Sequence, residues 1–241
     1  MMIKIFENAE AVANKIAEEM NVCLMNEVNP VFCLASGSTP QKSYQQFAKI
    51  VGKEKKKKIK IVSLDEWVGI SRDSEGSCFQ MLNKDLFSLL QLDEEQIHFF
   101  NGNSQDLQEE CIRIDDFMNE NPISFSLMGV GMNGHIGLNE PGCPMLNHSS
   151  IVTLSETTKT VAQKYFNQPT HLEEGITLGL QQIISSKRVV VAITGEHKAV
   201  IVKEIFMNQG AKLPAQELLG YHHIDFYIDS DAAKYIKREN I

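Results

Sequence analysis

Ile123–Gly142, ISFSLMGVGMNGHIGLNEPG, holds the pattern that decides the fold. It begins as an apolar run, Ile123 to Met128, with the length and β-branched and aromatic content of a buried strand. It then breaks into a segment with five glycines between Gly129 and Gly142, and Asn133, His135 and Glu140 stand between them. A short, mostly apolar run of this kind reads as a strand. Glycine at its end lets the backbone take positive φ and approach a ligand closely, leaving the polar side chains in a crevice. A histidine with an amide two residues before it and a carboxylate five residues after it has the makeup of an oriented general acid or base, because a third group must fix the imidazole tautomer.

Outward from this segment, helical and strand patterns alternate along the whole chain. Helical spacing runs over Ala9–Met25 (Ala11, Val12, Ile16, Met20, Leu24), and further helices are expected at Pro40–Val51, Cys78–Leu90, Gln105–Asn119, Thr158–Phe166 and His197–Met207. Strands are expected at Pro30–Ala35, Ile59–Leu64, Ser124–Gly129, Lys187–Thr194 and Ile224–Ile228. No repeat, low-complexity segment or Pro/Ser-rich linker interrupts them. The expected fold is therefore α/β: a single-domain, Rossmann-like, mostly parallel sheet flanked by helices, over residues 1–241. Ligands bind such sheets at the carboxyl ends of the strands.

The composition narrows the function classes. With 241 residues, 43% of them hydrophobic, the chain can bury a substantial core, and its formal net charge of -8 argues against nucleic-acid binding, which demands a basic face. The basic run Lys53–Lys60, KEKKKKIK, leads straight into a strand and reads as a solvated helix end or loop. Cys23, Cys33, Cys78, Cys111 and Cys143 are odd in number and widely spaced, with no metal-ligand rhythm, which points to a reducing compartment and no metal site. Charges interrupt every apolar run near the N-terminus, so neither a signal peptide nor a membrane span is expected, and the protein is placed in the cytoplasm without membrane partners.

Polar residues collect at four strand ends. The first strand runs into LASGSTP, where Ser36, Gly37, Ser38 and Thr39 precede a helix; this is either a phosphate cradle of backbone amides and hydroxyls or an ordinary helix cap. The second ends LDEWVG, with Asp65 and Glu66 adjacent, so that one side chain faces the crevice and the other points away. In an enclosed site such a carboxylate becomes a base for a carbon-bound proton; otherwise it caps the next turn. The third end carries Asn133, His135 and Glu140. The fourth, VVVAITGEHKA, places Lys198 near the start of a helix, and Lys164 follows the histidine motif; both suit the countercharge that a phosphate needs in an acidic protein.

SGSTP, LDEWVG, GMNGHIGLNEPG, GITLGL (Gly175–Leu180) and TGEHKA, in this order and spacing, resemble the glucosamine-6-phosphate deaminase/isomerase family, with the galactosamine-6-phosphate isomerase branch closest in wording. The resemblance spans nearly the whole chain. It implies conversion of a 2-amino-aldose 6-phosphate to the ketohexose 6-phosphate plus ammonia, with no metal or organic cofactor and with a small amino-sugar phosphate as partner. Asp65 then matches the base that moves the C2 proton to C1, His135 the group that opens the pyranose, and Glu140 the carboxylate that supports this histidine. Asn133 stands where some members carry Asp, and there it orients the ring without joining a relay. Ser36, Gly37, Ser38, Thr39, Lys164 and Lys198 match the phosphate pocket. Association into a homo-oligomer is left open.

The chain departs from the family pattern in places. Lys164 replaces an arginine, which turns a bidentate fork into a point charge. Trp67 replaces the tyrosine usual after the Asp-Glu pair, as in the galactosamine-type branch. Two other readings stand beside this one. A 6-phosphogluconolactonase shares the glycine-serine loop and a GxxGH string but continues to a threonine and an apolar SLFPG-like segment where this chain has IGLNEPG. A catalytically silent sugar-phosphate sensor would keep only the phosphate cradle. Around Ser150–Thr153 the basic residues that form the N-acetyl-sugar effector site of allosteric members are absent. Titrating N-acetylglucosamine 6-phosphate into initial-rate assays is therefore expected to give no activation, and strong activation would refute this.

Overall fold

The strands are β1 (Ile3–Phe6), β2 (Val31–Leu34), β3 (Lys60–Ser63), β4 (Asp65–Trp67), β5 (Ile97–His98), β6 (Phe125–Gly129), β7 (Ser150–Thr153), β8 (Glu174–Thr177), β9 (Val189–Ile193) and β10 (Ile224–Asp229). The structure, a computed structural model, describes residues 1–208 and 210–236. Seven strands form one sheet in the order β1-β10-β9-β6-β2-β3-β5, and every neighbouring pair in it is parallel. With β1 set aside, the other six follow the 3-2-1-4-5-6 order of a Rossmann sheet. The expected α/β, mostly parallel architecture is the one observed.

The helices are α1 (Ala9–Asn26), α2 (Gln41–Ile50), α3 (Lys53–Lys56), α4 (Cys78–Leu82), α5 (Ser88–Leu90), α6 (Leu107–Glu120), α7 (Glu156–Ala162), α8 (Leu180–Ile184), α9 (Ala199–Met207) and α10 (Pro214–Glu217). The segment expected as one helix over Cys78–Leu90 keeps its path, but its middle, Asn83–Phe87, widens to a π-helical turn between α4 and α5. The lysine run forms the short α3 and the turn after it. Among the described residues no helix is long and apolar enough to cross a membrane.

Strand alternation divides the core in two. Val31 and Cys33 of β2 pack with Val62, Val189 and Val191 under α6, α8 and α9, whereas Phe32 and Leu34 face Ile61, Phe125, Leu127 and Val190 under α1 and α2. The side chains of α1 that do this, Val12, Ile16, Met20 and Leu24, follow the spacing read from the sequence, and each contributes about 1.5–3 kcal/mol through burial. Asn8 caps the helix by accepting from Ala11 N–H at 2.9 Å.

A second sheet is the main addition to the expectation. β4, β8 and β7 form a small antiparallel sheet, in which Asp65 pairs with Thr177 and Ser150 also pairs with Thr177. The chain leaves the large sheet after β3 and enters the small one one residue later. This change of sheet decides the fate of the adjacent carboxylates, because neighbouring residues of a strand face opposite ways. Glu66 is completely buried. Its carboxylate accepts from the N–H groups of Trp67, Cys78 and Phe79 at 2.9, 2.9 and 3.0 Å and from the Ser77 hydroxyl at 3.0 Å. The capping role that the sequence left open for Asp65 falls to Glu66, which holds the first turn of α4 against β4.

Glu66→Ala strands those buried donors and is expected to cost at least ~3 kcal/mol in urea unfolding. A loss below ~1 kcal/mol would show that this carboxylate does not hold α4 in place.

Candidate active site

In the large sheet, β3 and β5 lie on one side of β2 and β6 lies on the other, so the winding reverses between β2 and β6. The loops that follow these two strands therefore diverge and open a crevice. A pocket at this place is lined by Ser36, Ser38 and Thr39 after β2, Asp65 after β3, His135 in the loop after β6, and Lys198 after β9. Lys164 and Tyr165, in the 3-10 turn that follows α7, close one side. Glu140 and Asn133 stand behind His135 and do not line the pocket. Gly37 sits within the β2 loop.

Several of these lining groups suit an anion. Gly37 has φ +96°, and a side chain there would come within 2.8 Å of the Tyr165 hydroxyl, so both the backbone shape and the close approach require glycine. The N-cap position of α2 is Pro40, and no side chain caps that helix, which leaves the Ser36, Ser38 and Thr39 hydroxyls uncommitted to capping. Lys198 is buried, and its Nζ donates to the Val130 carbonyl at 2.6 Å and not to a carboxylate. Burial, and then the neighbouring Lys164, push its pKa down to about 8. His197 also lines the pocket, and burial followed by the two lysines lowers its pKa. A bound dianion would relieve this crowding of positive groups. Tyr165 and His197 were not picked out from the sequence, although each adjoins a lysine that was.

Asp65 lines the same pocket. Burial raises its pKa to about 7, against a hydrogen bond with the Cys78 thiol and with help from the charge of Glu66. A carboxylate that titrates near neutrality can exchange a proton with a weakly acidic carbon.

His135 has polar groups along one ring edge. Thr158 Oγ1 lies 3.0 Å from Nδ1, and Glu140 Oε2 lies 3.6 Å from the same atom. The opposite edge rests on Gly131, where a Cβ would fall 2.3 Å from Cε1 and Nε2, so only glycine lets the ring lie down. Asn133 accepts from His135 N–H at 3.3 Å through Oδ1, and its Nδ2 donates to Glu140 Oε2 at 2.7 Å and to Ser155 Oγ at 3.0 Å. Burial opposes ionisation of Glu140, but the neighbouring His135 imidazole, Thr158 and the Asn133 amide outweigh it and bring the pKa down to about 2. Sequence reasoning missed Ser155 and Thr158. They had no motif of their own beyond the Ser at the start of α7.

The GITLGL segment fixes this loop from below. Leu138 N–H donates to Thr177 Oγ1 at 3.2 Å, while Asn139 donates to the carbonyls of Ile136 and Leu178 and accepts from Leu180 N–H. Trp67 lines the pocket, and its indole N–H donates to the Gly76 carbonyl at 3.0 Å, tying down the polar loop Ser71–Ser77. Among the described residues no three His, Cys, Asp or Glu side chains gather to hold a metal ion.

Comparison with known proteins places this geometry in context. Residues 6–224 match the family model of glucosamine-6-phosphate isomerases/6-phosphogluconolactonase. A glucosamine-6-phosphate deaminase of Bacillus pumilus is 32% identical over 235 residues, which cover 94% of this chain and 96% of the relative. One from Thermoanaerobacter sp. is 30% identical over 246 residues, covering all of this chain and 97% of the relative. Among solved structures, that of a monomeric glucosamine-6-phosphate deaminase superposes with a TM-score of 0.90 at 30% identity, covering 97% of this chain and 99% of the other. The 6-phosphogluconolactonase of Thermotoga maritima, with a TM-score of 0.75 at 20% identity over 95% of this chain and 99% of its own, shares the fold.

Folding carries the Asp65 carboxyl from 3.8 to about 7, so the folded protein holds this proton more tightly than the unfolded chain does. The stability contributed by the neutral carboxyl is full below about pH 4 and is lost as the pH rises through about 7. Asp65→Asn cannot lose that proton. Its stability relative to wild type, measured by urea unfolding, is expected to improve steadily between about pH 4 and about pH 8, and a difference independent of pH would rule out the raised pKa.

Proposed function

The chain belongs to the glucosamine-6-phosphate isomerase/6-phosphogluconolactonase family, and we propose that it is a cofactor-independent amino-sugar 6-phosphate deaminase. The observation that carries this reading is the gathering in one pocket of groups suited to an anion, Ser36, Ser38, Thr39, Lys164 and Lys198, with groups suited to proton transfer, Asp65 and the Glu140-backed His135. The phosphate of the substrate sits among the first set of groups, where the Gly37 loop and the two lysines hold it. This remote binding fixes C1 and C2 of the sugar against the reacting side chains.

The chemistry then runs in order. His135 takes the proton of the anomeric hydroxyl and returns it to the ring oxygen, so the C1–O5 bond breaks and the aldehyde forms. Asp65, ionised, removes the proton from C2 and delivers it to C1. The resulting imine at C2 is hydrolysed by water to the ketohexose 6-phosphate and ammonia. Neutral-range titration of Asp65 matches this two-way duty, since the same group must accept and release one proton.

The finer reading, a place in the galactosamine-6-phosphate isomerase-like branch, rests on Trp67, and either amino-sugar 6-phosphate is a candidate substrate. The buried Trp67 indole lines the pocket where the family commonly has a smaller tyrosine. Lactone hydrolysis stands as the alternative chemistry on this fold, and binding without turnover as the mark of a sensor.

Ammonia release from the two amino-sugar phosphates, measured side by side with 6-phosphogluconolactone hydrolysis, tests the reading. Turnover of an amino sugar is expected, with kcat/KM rising through about pH 7 as Asp65 ionises. Asp65→Asn should lower kcat by at least ~10²-fold while leaving KM nearly unchanged. Hydrolysis of the lactone alone would assign the other chemistry, and near wild-type turnover by Asp65→Asn would remove this residue from the mechanism.

A further inference from the structure

Tyr165 shares the pocket wall with Lys164, and its hydroxyl reaches the loop that follows β2. A Cβ built on Gly37 would fall 2.8 Å from the phenol oxygen and 3.5 Å from the ring carbon that bears it, so the side chain meets the loop with its polar tip and not with its ring face. A tyrosine hydroxyl that leaves water finds a hydrogen-bond partner as a rule. The two fully buried tyrosines follow it: Tyr44 donates to the Ala35 carbonyl at 2.5 Å and Tyr227 to Glu19. Tyr165 is half-buried, and among the described residues its hydroxyl has no protein partner.

The neighbours of this hydroxyl offer donors and positive charge. Lys164 Nζ lies 4.9 Å from the centre of the Tyr165 ring, within reach of a cation–π contact. Lys198 stands in the same lining, with the hydroxyls of Ser36, Ser38 and Thr39. Asp65 is the one carboxylate of that lining, and among the described residues neither lysine is ion-paired with it or with any other acid. The group that completes such a set is an anion with several acceptor oxygens. We propose that Tyr165 is a ligand of the substrate's phosphate: its hydroxyl donates to a phosphate oxygen held at the Gly37 loop, while its ring face keeps the Lys164 ammonium beside the same anion. This rests on the deaminase reading and deepens it, because it names a donor that the glycine-serine loop and the two lysines do not supply. The missing side chain at Gly37 leaves the space that the phenol tip needs. A sugar without the phosphate would leave both lysines without countercharge and the phenol without an acceptor, so the pocket favours a phosphorylated substrate.

The turn that carries Tyr165 is held in place by other groups. Gln163 donates to the carbonyls of Lys159 and Thr170 at 3.2 and 2.9 Å and accepts from Thr170 N–H at 2.9 Å. Phe166 packs against Gly76, where a Cβ would come within 2.5 Å of its ring, and Asn167 donates to Glu75. Removing the Tyr165 hydroxyl therefore takes away a donor to the anion and leaves the fold of the turn intact.

Inorganic phosphate is the probe, and Tyr165→Phe, which keeps the ring and its contact with Lys164, is the variant. In an NMR-detected titration in neutral buffer, Tyr165→Phe is expected to bind phosphate about 10-fold more weakly than wild type, the size of one lost hydrogen bond to a charged group, with an unchanged urea unfolding midpoint. In the ammonia assay its KM should rise by a similar factor while kcat stays within about twofold, because the lost contact is made in the ground state and the transition state alike. Equal phosphate affinity of wild type and Tyr165→Phe overturns the proposal, as does a wild-type protein that binds no phosphate. A fall in kcat at unchanged KM overturns it too, since the hydroxyl would then act at the reacting carbons. The phosphate titration needs no turnover, so a wild-type protein that binds phosphate but releases no ammonia counts against the deaminase reading and leaves Tyr165 to be judged by the affinity of its variant.

Discussion

The pairing of β2 with β6 is the constraint from which the site follows. Phe32 lies beside Phe125 and Leu34 beside Leu127, and Ala35 N–H continues the ladder to the Leu127 carbonyl at 2.9 Å. These two strands are adjacent in the sheet but separated in the chain by β3 and β5, so the loops that leave them turn to opposite sides. Parallel strands covered on both faces have no free surface for chemistry except their ends. The reversal of winding places the glycine-serine loop and the histidine loop on the two lips of one crevice, and the remaining elements add Asp65, Lys164 and Lys198 to its walls.

Around that crevice the sequence makes economical use of adjacent residues with opposite tasks. Asp65 and Glu66 are chemically alike, yet the pleat sends one to the pocket and the other into the core. Glu66 collects four donors and works as a structural anchor for α4. Asp65 has the Cys78 thiol as its neighbour and a pKa raised toward neutrality by burial. The charge of Glu66 adds to that shift, so the anchor also tunes its neighbour. Ser155 combines roles in the same way, since one hydroxyl caps α7 and orders the hydrogen bonds behind His135.

The departures from the family pattern read differently once the contacts are known. Asn133, which in the sequence looks like a weakened relay, has its amide hydrogens committed to Glu140 and Ser155 and its oxygen to the backbone of His135. Its value lies in being a donor. Lys164 lines the pocket with Nζ 4.9 Å from the centre of the Tyr165 ring, and that ring in turn closes over Gly37. A flexible ammonium can reach an anion there without the fixed geometry that an arginine fork requires.

The sequence by itself determined the alternation of helices and strands, the parallel sheet and the strand ends at which polar residues gather. Buried parallel strands such as Val31–Leu34 and Val189–Ile193 are apolar without interruption, and their ends break into glycine, so these signals are local and strong. Other features are decided only by the tertiary structure. β4, β7 and β8 are three or four residues long and are stabilised by one another across the chain, and β1 gains its place by pairing with β10, whose residues lie more than 200 positions away. No local periodicity announces strands of this kind. The choice between Asp65 and Glu66, and the presence of Thr158 at His135 across 23 residues of sequence, depend likewise on the face a side chain takes and on which donor finds which acceptor. Those are properties of packed elements, because a hydrogen bond is fixed by distance and direction in space and the sequence supplies only the groups that can make it.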